Sequence, residues 1–421
     1  MESKENNRII VIGGGPAGLM AAGQAALSGC NVTLLERMAT PARKLLISGK
    51  GRCNLTNTAP IDDFIDNFNR SGRFLRQVFS VFFTHELQEF FEQLGIELEC
   101  QRGGRIFPRS GRSADVVNGL LRWCRDAGVT MKNNCRVEHL EFHDNRIAGV
   151  RLAEGKSIGC HSVILATGGT SYPETGSTGD GFTMAKALGH RIIAPKPALV
   201  PLITREDVTQ LAGLDLKNIG VRVFIAGKRK INDFGEISFN RTGIGGSVIL
   251  SYSKKIVEWL EAGKRVEVAL DLKPALNEQK LDNRLQRDLQ KRSDEKLASV
   301  LRGLLPKQLV PYCLDTTQMS GGLVASDVSG QKRRHLVTWL KNMRLTITGH
   351  RPLAEGMVTS GGVCVKEINP LTMESLLING LFFAGELIDV DGDTGGFNLQ
   401  AAFSTGWVAG RSAAAMHRHS L

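Results

Sequence analysis

Compact apolar runs alternate along this chain with glycine-rich breaks, and their spacing predicts the elements. Residues 8–12, RIIVI, are apolar and β-branched between a charged start and the glycines of GGGPAG, a pattern that suits a buried parallel strand. Apolar and small residues fill 17–27 and Gly29 follows, which predicts a helix with a glycine stop. Residues 32–35 form a second buried strand ending at Glu36. Two later junctions repeat the step from strand to glycine. The run at 162–166 leaves through Thr167, Gly168 and Gly169, and the run at 381–384 enters an acidic turn followed by a helix from about Asn398. A sheet begun at residue 8 and resumed near 381 means that the chain leaves its first domain and returns to it. Between these points, 193 to about 272 reads as short strands (VRVFIAGKRK, EISFNRTG, RVEVALDL), and 275–312 as helices rich in Lys, Arg, Leu and Gln. The expected fold is α/β, with an inserted strand-rich unit and a small helical one.

Composition narrows the class. With 421 residues, 42% of them apolar, the chain supports two or three domains with cores of their own. No apolar run is long enough to span a bilayer, and the charged MESKENNR runs directly into the first strand, so a soluble, cytoplasmic protein without a signal peptide is expected. Eight cysteines are scattered without a C-x-x-C pair, which argues against a zinc ribbon, an iron–sulfur cluster or a redox dithiol.

Charge changes the picture more. Residues 196–344 hold 26 Lys plus Arg against 16 Asp plus Glu, and the remainder 27 against 26, so nearly all of the net +11 sits in the insertion. A polyanion is the natural partner for such a domain. Lys228, Arg229 and Lys230 form one cluster, Lys332, Arg333 and Arg334 a second, and Arg284, Arg287, Lys291 and Arg292 a third. Set against phosphates, these would supply sequence-independent, salt-sensitive RNA affinity. The alternative is a basic face that serves solubility, since no RNP motif accompanies the charge and aromatic residues make up only 6%.

The chemistry is concentrated in the glycine motifs. Gly13, Gly15 and Gly18 stand in G-x-G-x-x-G spacing at the start of the first helix. Such glycines let the backbone approach a pyrophosphate, the helix N-terminus supplies N–H groups and positive dipole, and an acid at the strand end, here Glu36, can hold a ribose diol. The segment SGKGRCNLTN at 48–57 is not a phosphate-binding P-loop, because Lys44 and Gly51 occupy positions that need glycine and Ser or Thr. The run DVDGD lacks a calcium loop's spacing: counted from Asp389, its sixth and twelfth positions are Thr394 and Gln400. No metal is expected. A second complete glycine unit is missing from mid-chain, since TGIGGSV at 242–248 lacks the last glycine and a preceding strand.

Four further motifs, KLLISGKGRCNLTN, ATGGTSYPETGSTGDG, GMVTSGGV and GELIDVDGDTGGFNLQ, occur in this order. Together with the glycine fingerprint they resemble the BaiN/RdsA (YhiN-like) family of FAD-dependent NAD(P)H oxidoreductases, flavoproteins with two dinucleotide-binding folds. The resemblance implies a Rossmann-like FAD-binding domain over 1–192 and 366–421, an inserted β-barrel-like domain over 193–274 and 342–365, and a helical subdomain over 275–341. It places Gly13, Gly15, Pro16, Ala17 and Gly18 around the pyrophosphate, Glu36 at the adenosine ribose, and Arg43 and Lys44 beside the phosphate and ribose. Val137 would meet the adenine through its backbone. Ser48 and Gly49 would pass the isoalloxazine, Thr167 and Gly168 would line the exit from the strand, and Gly385 and Glu386 would approach the ribityl chain, with Asp389 a rival for the hydroxyl contact. Gly396, Phe397, Asn398 and Leu399 would bring a helix N-terminus to the flavin's pyrimidine edge, where its dipole favours negative charge.

Members of the resembled family reduce conjugated C=C bonds, some in uracil of 23S ribosomal RNA to give dihydrouridine, others in steroid-like enones. The charge of the insertion favours RNA; a small-molecule enone reductase or amine oxidase and a non-catalytic flavin-bound RNA-binding factor are the alternatives. NAD(P)H would visit transiently, in ping-pong alternation with the substrate. Cys53 is the candidate proton donor to uracil C5, and Arg52 and Lys50 would hold the substrate's carbonyl oxygen or phosphate as charge develops.

Overall fold

The computed structural model describes residues 7–68 and 71–418; the charged start of the chain up to residue 6 lies outside it. Two compact units are present, Met1–Ala198 with Leu353–Leu421, and Leu199–Pro352.

Five parallel strands form the centre of the first unit, in the order Leu381–Phe383, Ser162–Leu165, Arg8–Ile12, Asn31–Leu35, Thr130–Lys132. Ile9, Ile10 and Val11 have no exposed surface, as expected for strands covered on both faces. The helix Pro16–Leu27 covers one face, and the C-terminal helix Phe397–Arg418 packs against it. Two glycines let these helices touch: a Cβ at Gly406 would stand 2.3 Å from the Ala17 carbonyl oxygen, and one at Gly410 2.4 Å from that of Ala21. Helix backbones brought this close hold the starts of both helices in fixed relation.

Smaller elements surround the sheet. Thr56–Asn57, Arg105–Pro108 and Leu98–Gln101 form a three-stranded sheet, and Val137–His143 opens an antiparallel sheet with Arg146–Leu152 and Ser157–Gly159. The strands Ile192–Ala198 and Val358–Val363 pair with one another.

Six strands close a barrel in the second unit: Leu202–Thr204, Gly243–Gly245, Lys228–Phe239, Asp215–Ile225, Val266–Asp271 and Met343–His350. Period-two burial inside Asp215–Ile225 turns Ile219, Val221, Val223 and Ile225 to the core. The boundaries drawn from sequence need two corrections. The segments 193–198 and 353–365 fall in the first unit rather than with the barrel, because Ile192–Ala198 takes Val358–Val363 as its partner. The helical segment is not a separate subdomain, since Leu281, Leu285 and Leu289 and also Leu336, Val337 and Leu340 are buried in one core with the barrel's Val221, Val268 and Leu345. Among the described residues no helix is long and apolar enough to cross a membrane.

Candidate functional site

Each glycine of the fingerprint answers to a different neighbour. Gly13 has φ +103°, and a Cβ there would stand 2.5 Å from the Ala166 carbonyl oxygen; at Gly18 it would stand 1.9 Å from the Gly13 oxygen. These two are required by the chain's own packing. Gly15 differs, for a Cβ there meets nothing within 4 Å. It caps the helix Pro16–Leu27 without a side-chain hydrogen bond, which leaves the N–H groups of the first turn without a side-chain cap. Such an arrangement suits an anion at the helix N-terminus.

Glu36 ends the second strand with 7% exposure. Its Oε2 accepts from the Gly14 N–H at 2.7 Å and its Oε1 from the Met38 N–H at 2.7 Å. A carboxylate oxygen accepts more than one hydrogen bond, so this geometry orients the group for a diol while capacity remains. The neighbouring Arg37 and Arg136 both reach Asp180, at 3.0 and 2.9 Å, and tie the strand end to the start of the helix Asp180–Ala187. Val137 follows Arg136, with its side chain buried and its backbone opening the adjoining sheet.

Lys44 and Glu386, set by the resemblance at separate parts of the cofactor, meet each other. Lys44 Nζ lies 2.7 Å from Glu386 Oε2 and 2.6 Å from Ser171 Oγ. Glu386 Oε1 accepts from the Thr359 N–H at 2.8 Å and from Ser171 Oγ at 2.9 Å, while Thr359 Oγ1 accepts the N–H groups of Thr170 and Ser171. Four segments far apart in sequence are joined here. Ser171 and Thr359 stand inside two of the quoted motifs, yet only the fold shows what they bind. Gly385, beside this cluster, has φ +75° and donates its N–H to Thr405 Oγ1 at 2.9 Å.

The polar segment 48–57 has an unusual backbone. After the helical turn from Arg43, Ser48 is extended, and Gly49, Lys50, Gly51 and Cys53 all take positive φ. Non-glycine residues in this region cost roughly 1–2 kcal/mol each, so the neighbouring contacts must hold them there. Asn57 contributes, donating from Nδ2 to the carbonyl oxygens of Gly103 and Gly395. A Cβ at Gly396 would stand 2.4 Å from the Thr56 oxygen, so the segment lies directly against the start of the C-terminal helix.

Several expected roles change at this point. Cys53 has no exposed surface, and burial pushes its thiol up to about 12, opposed by a hydrogen bond with Ser48. A thiol enclosed and kept protonated this way is packed in the core, a placement that does not favour the expected proton transfer to a substrate. Arg52 lies over the Phe107 ring at 4.4 Å and reaches Gln101 at 3.3 Å, which holds it to the small sheet; Lys50 is exposed. The Phe397 side chain is buried, 4.7 Å edge-on from Phe64, and the Asn398 side chain closes the acidic turn through the N–H and carbonyl of Gly392. What residues 397–399 offer is therefore backbone N–H at a helix start, with Gln400 N–H the first to bond back, to Gly396. Asp391 accepts from Ser360 Oγ at 2.9 Å, and among the described residues no group of three or more His, Cys, Asp or Glu is placed to hold a metal.

Among the buried side-chain oxygens without a hydrogen-bond partner are Asn54 Oδ1, Thr167 Oγ1 and Thr170 Oγ1. Orphaned buried acceptors are rare in folded proteins, and a ligand carrying hydroxyl and N–H donors would satisfy them. With the open space at Gly15 and the oriented Glu36, the residues fit FAD.

In the second unit, Lys228–Lys230 are exposed beyond a two-residue hairpin whose Ala226 and Gly227 both take positive φ. Arg333 is engaged within the chain: its Nε and Nη2 donate to the two oxygens of Asp282, at 2.8 and 3.1 Å, with its side chain 19% exposed. Lys332 and Arg334 are exposed beside it.

The HI0933-like protein Rossmann domain family matches residues 7–412. A 3-dehydro-bile acid delta(4,6)-reductase of Clostridium scindens is 34% identical over 413 residues, covering 97% of this chain and 99% of that protein. A ribosomal RNA dihydrouridine synthase of Haemophilus influenzae is 29% identical over 408 residues, covering 96% and 97%. In fold the chain is similar to the 3-ketosteroid delta1-dehydrogenase of Sterolibacterium denitrificans, with a TM-score of 0.52 at 14% identity over 97% of this chain and all 100% of that one.

Proposed function

The chain belongs to the HI0933-like Rossmann-domain family, and from that premise we propose that it is an FAD-dependent, NAD(P)H-driven reductase of a conjugated C=C bond, acting on uracil in 23S ribosomal RNA. FAD, when bound, supplies the two-electron chemistry. The chain's residues bind and orient. Gly15 would leave room for the pyrophosphate, Glu36 would hold the ribose diol, and the N–H groups of 397–399 would serve the flavin's pyrimidine edge. The Lys44–Glu386–Ser171–Thr359 cluster holds the surrounding loops in register.

Saturating uracil needs a proton at C5, on the carbon α to the carbonyl, in addition to a hydride at C6. With Cys53 enclosed, we assign the proton to Tyr172. It adjoins Ser171, has φ +51°, and is half-buried. Burial first, and then the charge of Glu355, hold its phenol above the usual range, so it carries its proton throughout the neutral range.

One observation carries the choice of substrate. The unit 199–352 exchanges Lys196 for Arg351 relative to the stretch counted above and keeps 26 basic against 16 acidic residues, a surplus that a small sterol does not require and an RNA helix does. The higher identity to a bile-acid reductase favours a second reading, reduction of a steroid-like enone by the same bond chemistry. Mapping dihydrouridine in 23S rRNA from a deletion strain, with complementation by this chain, separates the two. Loss of a dihydrouridine that the wild-type gene restores is expected; an unchanged map sinks the RNA reading.

A further inference from the structure

We propose that the outward face of the helix Glu278–Lys291 is the surface that grips the phosphate backbone of the RNA, an inference that rests on the substrate reading above. The helix is two-sided. Leu281, Leu285 and Leu289 face the core, while Lys280, Asn283, Arg284, Gln286, Arg287 and Gln290 line a groove of about 570 Å³. No acid lines it among the described residues. Asp282 on the same helix is engaged by Arg333, and Asp288 lies 3.7 Å from Arg284 Nε at the groove's edge. Arg284 also donates to the Gly303 carbonyl oxygen at 3.3 Å, which orients its guanidinium.

Three features set this surface apart from an ordinary solvated charge run. Its cations are spaced along the axis by about 6 Å from 280 to 284 and about 4.5 Å from 284 to 287 at helical rise, comparable with the separation of successive phosphates along one strand. Its three amides alternate with the cations, and amide donors serve phosphate oxygens and ribose hydroxyls alike. Its three cations share one face of a single helix, whereas Lys228–Lys230 adjoin a hairpin turn and the cluster at 332–334 has its middle member engaged by Asp282. The chemistry selects a polyphosphate backbone, without base specificity.

The test uses full-length, flavin-loaded protein carrying Lys280→Gln, Arg284→Gln and Arg287→Gln, with a 23S rRNA fragment titrated by fluorescence anisotropy across salt concentrations. Loss of three phosphate contacts is expected to lower the slope of log affinity against log salt by about 2, from ~0.7 per contact on single strands. Retained flavin absorbance and thermal midpoint show that the fold is intact. Should Arg284→Gln unsettle the helix, the double variant Lys280→Gln/Arg287→Gln is expected to lower the slope by about 1.4. Salt-sensitive RNA binding by wild type that persists in both variants overturns this placement while the substrate reading stands. A wild-type protein that neither binds rRNA nor supports dihydrouridine formation overturns both. Binding of a polyglutamate peptide that the variants lose, with RNA binding kept, would assign the groove to an acidic protein partner and likewise overturn the proposal.

Discussion

Replacing Glu386 by alanine is expected to loosen the loops around the candidate flavin site more than its single charge implies. The Lys44–Glu386 pair itself contributes little, because both side chains are about a quarter exposed, at 24% and 21%, and solvent screens the attraction. The hydrogen bonds matter more. Thr359 and Ser171 have no exposed surface, and Glu386 Oε1 accepts from the N–H of the first and the hydroxyl of the second. Alanine leaves the Thr359 N–H buried and unpaired at roughly 1–3 kcal/mol, and the loss of the Ser171 bond adds about 1 kcal/mol, so a total of about 2–4 kcal/mol is expected. Glu386→Gln keeps an oxygen acceptor and loses the charge, for about 1 kcal/mol or less. Hydrogen exchange of the amide at Thr359 reads this locally, free of the second unit's unfolding. Its protection should fall about 30- to 700-fold in the alanine variant and less than about 10-fold in the glutamine variant, at 1.4 kcal/mol per decade. Equal protection in the two variants would refute the reasoning, for it would mean that charge rather than hydrogen bonding holds the cluster.

Three further outcomes follow from the geometry. Gly15→Val should fold with a near-native thermal midpoint yet fail to retain flavin absorbance, whereas Gly18→Val, which meets the Gly13 carbonyl oxygen, should lower the midpoint whether or not flavin is added; equal behaviour of the two would contradict the assignment of Gly15 to ligand space. Cys53, with its thiol pushed up to about 12 by burial, should resist a thiol reagent at pH 8 in the native protein, and Cys53→Ala should leave flavin reoxidation by RNA unchanged; rapid labelling of Cys53 would return it to the list of reactive groups. Tyr172→Phe should keep flavin reduction by NAD(P)H and slow reoxidation by RNA about 100-fold or more, the usual scale for a lost general acid. Unchanged stopped-flow reoxidation would remove Tyr172 from that role.

Local pattern was enough for four of the five parallel strands, the short edge strand Thr130–Lys132 excepted, and for the first helix and the places where glycine is obligatory. An apolar β-branched run such as RIIVI, or a strand that must turn through positive φ at Gly13, encodes its state within a few residues. Net charge is equally local, so the basic insertion could be counted before it was folded. Partnership was not local. Lys44 and Glu386 are 342 positions apart, and each alone looks like a cofactor ligand; only closure of the chain shows that they neutralise one another. Arg333 counts as a free cation until both oxygens of Asp282, 51 residues away, take the Nε–Nη2 edge of its guanidinium. Cys53 stands among glycines and cations in sequence and is nevertheless buried in the core of the first unit. The strand pair Ile192–Ala198 and Val358–Val363 moved the domain boundary for the same reason. Composition and period record what each residue prefers, whereas burial and pairing depend on which distant segments close around it, and that was decided by the tertiary structure.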